Sequence, residues 1–184
     1  MTTATPHRLP LRTADDTTGM NRDILSALEG ADQDLTILRL LANSPTLLRP
    51  MVAMANALMQ RASLPAADRE VVVLYISQRL ENLYEWNEHV PLSAAAGITD
   101  EQRTAIRGGA PIAPPMFTAG QQLGVGFADE ILDTGAVSDS TWDALCRQWN
   151  VESALDLLFS VAFWGGMVPI VIAGLGLTGS EARS

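Results

Sequence analysis

Sulfur and imidazole are both scarce in this chain. Its 184 residues include one cysteine, Cys146, and two histidines, His7 and His89. A lone cysteine excludes an internal disulfide framework and any CxxC redox or zinc site within one chain. A transition-metal site would have to lean on carboxylates, so no metal is expected. Basic clusters are missing too. With a net charge of −9 and a pI near 4.5, neither nucleic acid nor an anionic membrane is an expected partner. The N-terminal stretch MTTATPHRLPLRTADD has no apolar segment of the signal-peptide kind. Gly108-Gly109 and Gly124-Val125-Gly126 follow no strand and carry no Lys-Ser/Thr, which excludes a phosphate loop. The segment from Leu157 to Ser180 lacks any charge, and by length alone it could span a membrane. It contains Gly165-Gly166, Pro169, Gly174 and Gly176, has no basic flank and stands alone. A buried helix broken near Pro169 accounts for it as well. The expectation is a soluble, cytoplasmic protein with no membrane partner.

What the chain does have is helical patterning throughout, with no strand alternation, repeat or low-complexity tract. Residues 1–18 are polar and read as a mobile tail; 19–180 read as one helical domain. Short helices are expected over 21–28 and 34–42, then a long one from Pro50 to about Ser63. Ser63-Leu64-Pro65-Ala66-Ala67-Asp68 starts the next, with Pro65 suited to its first turn and Asp68 and Glu70 to its positive end. That helix reads as continuous over about 67–96 and is stopped by Gly97. Thr99 and Gln102 form a capping-box pattern opening a helix to about Arg107. After a loop with three prolines, helices resume over 118–134, 140–150 and 151–174. The fold class is all-α, a single multi-helix domain.

The 67–96 helix carries the candidate chemistry. At about 100° per residue, Tyr75, Gln78, Asn82, Glu85, Trp86 and His89 fall in one sector, and Val73, Ile76, Leu80 and Leu83 roughly opposite. Glu85 and His89 are spaced i,i+4, where proton transfer between them becomes possible. His89 is the candidate general acid or base; a buried histidine tied to a backbone carbonyl or to Glu85 is the alternative. Glu85 could orient the imidazole or act on substrate, or be an exposed partner. Glu70 is either a dipole-stabilising residue or part of the site. Glu88 lies to another side and reads as solvated. Trp86 and Tyr75 would form an aromatic wall for a flat substrate, or belong to the core. Asn82 could hold a substrate carbonyl. Arg79 could receive a carboxylate, or simply cover its own helix.

The order of these elements, a helix opening with Arg69-Glu70, then Glu85-Trp86-Asn87-Glu88-His89, Ala-Gly-Ile and Thr99-Asp100-Glu101-Gln102, resembles the carboxymuconolactone decarboxylase and alkylhydroperoxidase D-like superfamily. The likeness covers about residues 40–175, and its specific part is Arg69 to Arg107. The peroxidase branch carries a Glu, a Cys-x-x-Cys and a His. On this sequence those positions are Glu70, Asn82, Glu85 and His89, so both cysteines are absent. A thiol relay needs a nucleophilic thiolate and a resolving partner, and Asn and Glu supply neither. The resemblance therefore implies the branch without the CxxC, an all-helical fold, no metal or organic cofactor, and a homo-oligomer, trimer or hexamer. It implies a cofactor-independent lyase, with His89, Glu85 and Glu70 catalytic, decarboxylating a small carbonyl-rich or lactone carboxylic acid. The same acid–base pair could run an isomerase, dehydratase or cyclase reaction on a polyketide-like intermediate. A helical oligomer that only binds a ligand, and a peroxidase using Cys146 between chains, are the remaining readings.

Overall fold

The computed structural model describes residues 7–30 and 36–178. Ten α-helices are seen there: α1 (Gly19–Gly30), α2 (Thr36–Leu41), α3 (Leu48–Asn56), α4 (Ala66–Arg79), α5 (Leu83–Ala95), α6 (Asp100–Arg107), α7 (Ala119–Thr134), α8 (Asp139–Gln148), α9 (Val151–Ala162) and α10 (Val168–Leu175). Two π-helical turns, Ala57–Arg61 and Phe163–Met167, prolong α3 and join α9 to α10. No strand occurs among the described residues; the fold is all-α. Gly97 ends α5 with φ +90°, and Thr99 and Gln102 make the expected capping box.

Helix α4 is the axis of the domain. Val71, Val72, Val73 and Leu74 are consecutive and all essentially fully buried, which a helix achieves only when packed on every side. Val71, Val72 and Leu74 face a core built with α7, α8 and α9, including Phe127, Leu145 and Leu157. Val73 faces a second core with α1, α2, α3 and α10, including Leu25, Leu40, Leu48 and Ile172. Each buried side chain of this size contributes roughly 1.5–3 kcal/mol. Gly124 on α7 permits the tight approach, since a Cβ there would lie 2.9 Å from Val72 Cγ2.

The helix expected over 67–96 is in fact two, and this is the main departure from the sequence reading. After Leu80 the chain enters the left-handed region at Glu81 (φ +52°), and the Asn82 amide closes back on the Ser77 carbonyl at 2.8 Å. The Asn82 side chain then caps α5 by accepting from the Glu85 amide. Leu80 and Leu83, expected on the apolar side, flank this break and are exposed. A continuous helix would hold residues 70 and 89 about 28 Å apart. The break folds α5 back along α4, and the two side chains touch.

Residues 1–6 of the expected tail, the start of the helix expected from 34, and positions 179–180 lie outside the described residues. Residues 7–18 lie along the domain: the Arg8 amide donates to the Leu175 carbonyl, and Arg12 Nε to Asn43 Oδ1. Val151–Leu175 runs as one helix through Pro169, long and apolar enough to cross a membrane by length and composition. One side of it, with Leu157, Val161, Val168 and Ile172, is buried. Val151, Leu155, Phe159, Met167 and Ile170 form an exposed apolar stripe on the other.

Candidate functional site

Where α4 and α5 lie side by side, four ionisable side chains meet in the interior. Arg69, Glu70, Glu85 and His89 are 5, 1, 6 and 4% exposed. His89 Nδ1 lies 2.8 Å from Glu70 Oε2, and His89 Nε2 lies 3.5 Å from Glu85 Oε2. The Glu70 carboxylate is shared, because its Oε1 accepts from Arg69 Nε at 3.2 Å and pairs with Nη2 at 3.1 Å. The Trp164 ring meets the imidazole edge-on, at 5.3 Å and 85°.

Burial by itself pulls the His89 pKa down, as it disfavours the cation. Hydrogen bonds to Glu70 and Glu85, and the charges of both, outweigh it and push the value from 6.5 up to about 9. Protonated His89 and Arg69 then face two carboxylates, and a cluster with no net charge can be buried where an isolated ion could not. With Nδ1–H committed to Glu70, Nε2–H faces Glu85.

His89 and Glu85 border a cavity of about 360 Å³ between α5 and the helices of the second core. Its wall is mainly Leu28, Ile37, Leu38, Met51, Val52, Met59, Phe163 and Val168. Asn56, Gln60, Tyr84, Glu85, Glu88 and His89 supply the polar groups. Both π-helical turns reach it, through Met59 and Gln60 on one side and Phe163 and Trp164 on the other. The Tyr84 hydroxyl accepts from the Ile37 amide at 3.2 Å. Among the described residues no arginine lines the cavity.

Two findings from comparison with known proteins bear on this arrangement. The model of the carboxymuconolactone decarboxylase family matches residues 45–113, which hold Arg69, Glu70, Glu85 and His89. An uncharacterized peroxidase-related protein from Silicibacter sp. TM1040 superposes with a TM-score of 0.78 at 17% identity, over 100% of this chain and 99% of that one. Residues 45–113 thus match the carboxymuconolactone decarboxylase family, and the whole chain shares the fold of an AhpD core. A second structure, the alkylhydroperoxidase AhpD core of an uncharacterized peroxidase-related protein from Ralstonia eutropha JMP134, gives a TM-score of 0.78 at 21% identity, over 97% of this chain and 95% of that one. Identities this low make these two likenesses ones of fold. No curated protein matches the sequence significantly.

Of the residues singled out in the sequence, this fold brings Glu70, Glu85 and His89 together. Tyr75 and Arg79 are separated from them by the break at Glu81, and Trp86 leaves α5 on a different side. The Tyr75 hydroxyl donates to Asp129 of α7 at 2.7 Å, and Arg79 pairs with Asp129 and Asp133. Trp86 lies under the Arg107 guanidinium, 4.9 Å from its centroid, in a separate open groove against α6. Asn82 is spent on the α5 cap. Cys146 packs on α8 against the first core, and no thiol lines the cavity among the described residues. Glu88, read as solvated, is half-buried in the cavity wall. Tyr84, Phe163, Trp164 and the role of Arg69 were missed. One signal was available: Asn82 three residues before Glu85 is itself a helix-start pattern, and taking it as a break would have turned Tyr84 and Glu88 inward with His89.

Proposed function

We propose that this protein is a cofactor-independent acid–base enzyme acting on a small, largely apolar carbonyl compound, with His89 as proton donor. The observation that carries the reading is the Glu70–His89–Glu85 line ending at the polar part of an apolar cavity. Glu70 fixes the ring orientation, and Nε2–H, beside Glu85 at the cavity wall, is the proton offered to substrate. A pKa of about 9 keeps His89 protonated at neutral pH. It is therefore the acid of the pair, and Glu85 is the group placed to accept a proton. In a decarboxylation, the bond to the substrate carboxylate breaks and its electron pair moves into the conjugated carbonyl as an enolate. His89 then delivers its proton to carbon, and solvent reprotonates the imidazole. Asn56 and Gln60 are polar side chains of the cavity wall that would meet the oxyanion.

A second reading has a specific support. Decarboxylation requires a substrate carboxylate, yet Arg79 is engaged on α7 and Arg69 is turned to Glu70. Protonated His89 is the only cation lining the cavity among the described residues. This favours an uncharged carbonyl substrate, with Glu85 removing an α-proton and His89 donating to oxygen or to a second carbon: an isomerase, dehydratase or cyclase. The exposed apolar stripe on α9 and α10 supports the homo-oligomer that the superfamily resemblance implies.

Solvent-deuterium incorporation and CO₂ release, measured over γ-lactone acids, β-keto acids and their neutral esters, test both readings against His89→Gln. CO₂ release with His89-dependent deuteration establishes the lyase. Exchange without CO₂, strongest for the neutral compounds, establishes the second reading. Turnover of any of these substrates at an undiminished rate in His89→Gln refutes both.

A further inference from the structure

Arg69 occupies an unusual place for an arginine. Neighbouring residues on a helix project about 100° apart and do not face one another. Its guanidinium nevertheless folds round to Glu70 Oε1, through Nε at 3.2 Å and Nη2 at 3.1 Å. It leaves Oε2 free to receive His89 Nδ1. The remaining arm, Nη1, donates to the Leu58 carbonyl at 3.1 Å. Leu58 belongs to the π-helical turn Ala57–Arg61, whose neighbours Met59 and Gln60 form part of the cavity wall. Carbonyls in a helix's last turn need partners from outside it, and Arg69 supplies this one. A single buried side chain thus ties the histidine's carboxylate partner to the wall of the cavity.

We propose that Arg69 is a positioning residue of the His89 centre: its fork holds the Glu70 carboxylate in register for Nδ1, and its charge tempers the hold of Glu70 on the histidine proton. Among the described residues, the charged and titratable groups around His89 are Arg69 and Glu70 from α4 and Tyr84, Glu85 and Glu88 from α5. α2 brings Ile37 and Leu38, α3 brings Asn56, and the two π-helical turns bring Met59, Gln60, Phe163 and Trp164. Apart from the imidazole itself, Arg69 is the only cation in that set. Removing it leaves Glu70 with one cationic partner instead of two, so the histidine proton is held more tightly. An enzyme whose acid never releases its proton does not turn over.

The inference rests on the acid–base reading for its consequence, yet its test needs no substrate, so the two can fail separately. The His89 ring is followed by NMR titration in a His7→Gln background, which leaves one histidine, and exchange of its Nδ1 proton is measured alongside. In Arg69→Gln the His89 midpoint should rise by about one unit, the effect of losing a cation a few ångströms from the shared carboxylate. In Arg69→Lys the charge is kept and the fork is lost. The midpoint should stay near that of the native protein, while the Nδ1 proton exchanges about tenfold faster, as expected when a charge-assisted hydrogen bond is loosened. A side chain that served only packing would lower stability and move neither quantity. An unmoved or lowered midpoint in folded Arg69→Gln overturns the proposal, and so does a native exchange rate in Arg69→Lys. Should Arg69→Gln fail to fold, the lysine variant decides alone.

Discussion

Alkaline titration of His89 should cost this protein a measurable part of its stability. The folded-state pKa, about 9, lies above the value of 6.5 for an unperturbed imidazole. The native state therefore binds this proton more tightly than the unfolded chain does. The resulting stabilisation is complete below about pH 6.5 and is lost as pH rises through about 9. Between about pH 7 and about pH 10 it amounts to roughly 2–3 kcal/mol, or several degrees in Tm for a domain of this size. The chain is unusually suited to the measurement because all twelve of its Lys+Arg residues are arginine, so no lysine titrates nearby. Tyr75 is pushed up from 10 to about 12 by burial and by its hydrogen bond to Asp129, so it adds only a few tenths of a kcal/mol to the decline, at the alkaline end near pH 10. A Cys146→Ser background removes the thiol. Urea unfolding at about pH 7, 8.5 and 10 should show the midpoint falling with an unchanged slope. His89→Gln should be less stable at neutral pH, because it leaves two buried carboxylates facing Arg69 alone, and should show little of the decline. A native curve that is flat or rising over this range would refute the reasoning: His89 would then be neutral at pH 7, and the assignment of His89 as acid and Glu85 as base would fall with it.

Other expectations follow from single contacts. Arg79→Met breaks pairs with Asp129 and Asp133 that are partly open to solvent; it should cost less than about 1 kcal/mol and leave the His89 titration unchanged, as followed by NMR. Gly124→Ala and Gly126→Ala should act in opposite directions on Tm. The first forces a methyl to 2.9 Å from Val72 Cγ2 and should destabilise by about 1–3 kcal/mol. The second meets nothing within 4 Å and should stabilise by up to about 1 kcal/mol. At Glu81, which holds φ +52°, glycine should be neutral or stabilising by up to about 1 kcal/mol, whereas a β-branched valine should be clearly worse; thermal melts of the two variants compare them directly.

The helices themselves were legible because each rests on local rules. The Gly97 stop and the Thr99–Gln102 box are written within a few residues of where they act. The mutual placement of Glu70 and His89 is not local. It depends on a helix break that no glycine or proline announces, enforced by a non-glycine residue in the left-handed region and an Asn82 that satisfies the next helix. A helical wheel drawn through 67–96 grouped Glu85 with His89 correctly, since both lie beyond the break. It misjudged every pairing across the break, sending Tyr75 and Arg79 to the histidine when they face α7. It left Glu70 open between dipole stabilisation and a site role, since its position near the start of α4 explains it until α5 turns back upon it. The resemblance to the superfamily put Glu70 and His89 in one candidate site, which the wheel could not, and their contact came from the structure. It did not supply Arg69, whose contribution is visible only once Oε1 and Oε2 of one carboxylate are seen to serve different partners. The position where the peroxidase branch has a cysteine beside this histidine is here a carboxylate, Glu85, at 3.5 Å from Nε2. A carboxylate there cannot be the nucleophilic thiolate that a thiol relay needs, and it leaves an ionisable group beside the imidazole. Under the proposed function, a chain with the fold of two peroxidase-related proteins uses this interior to move protons instead.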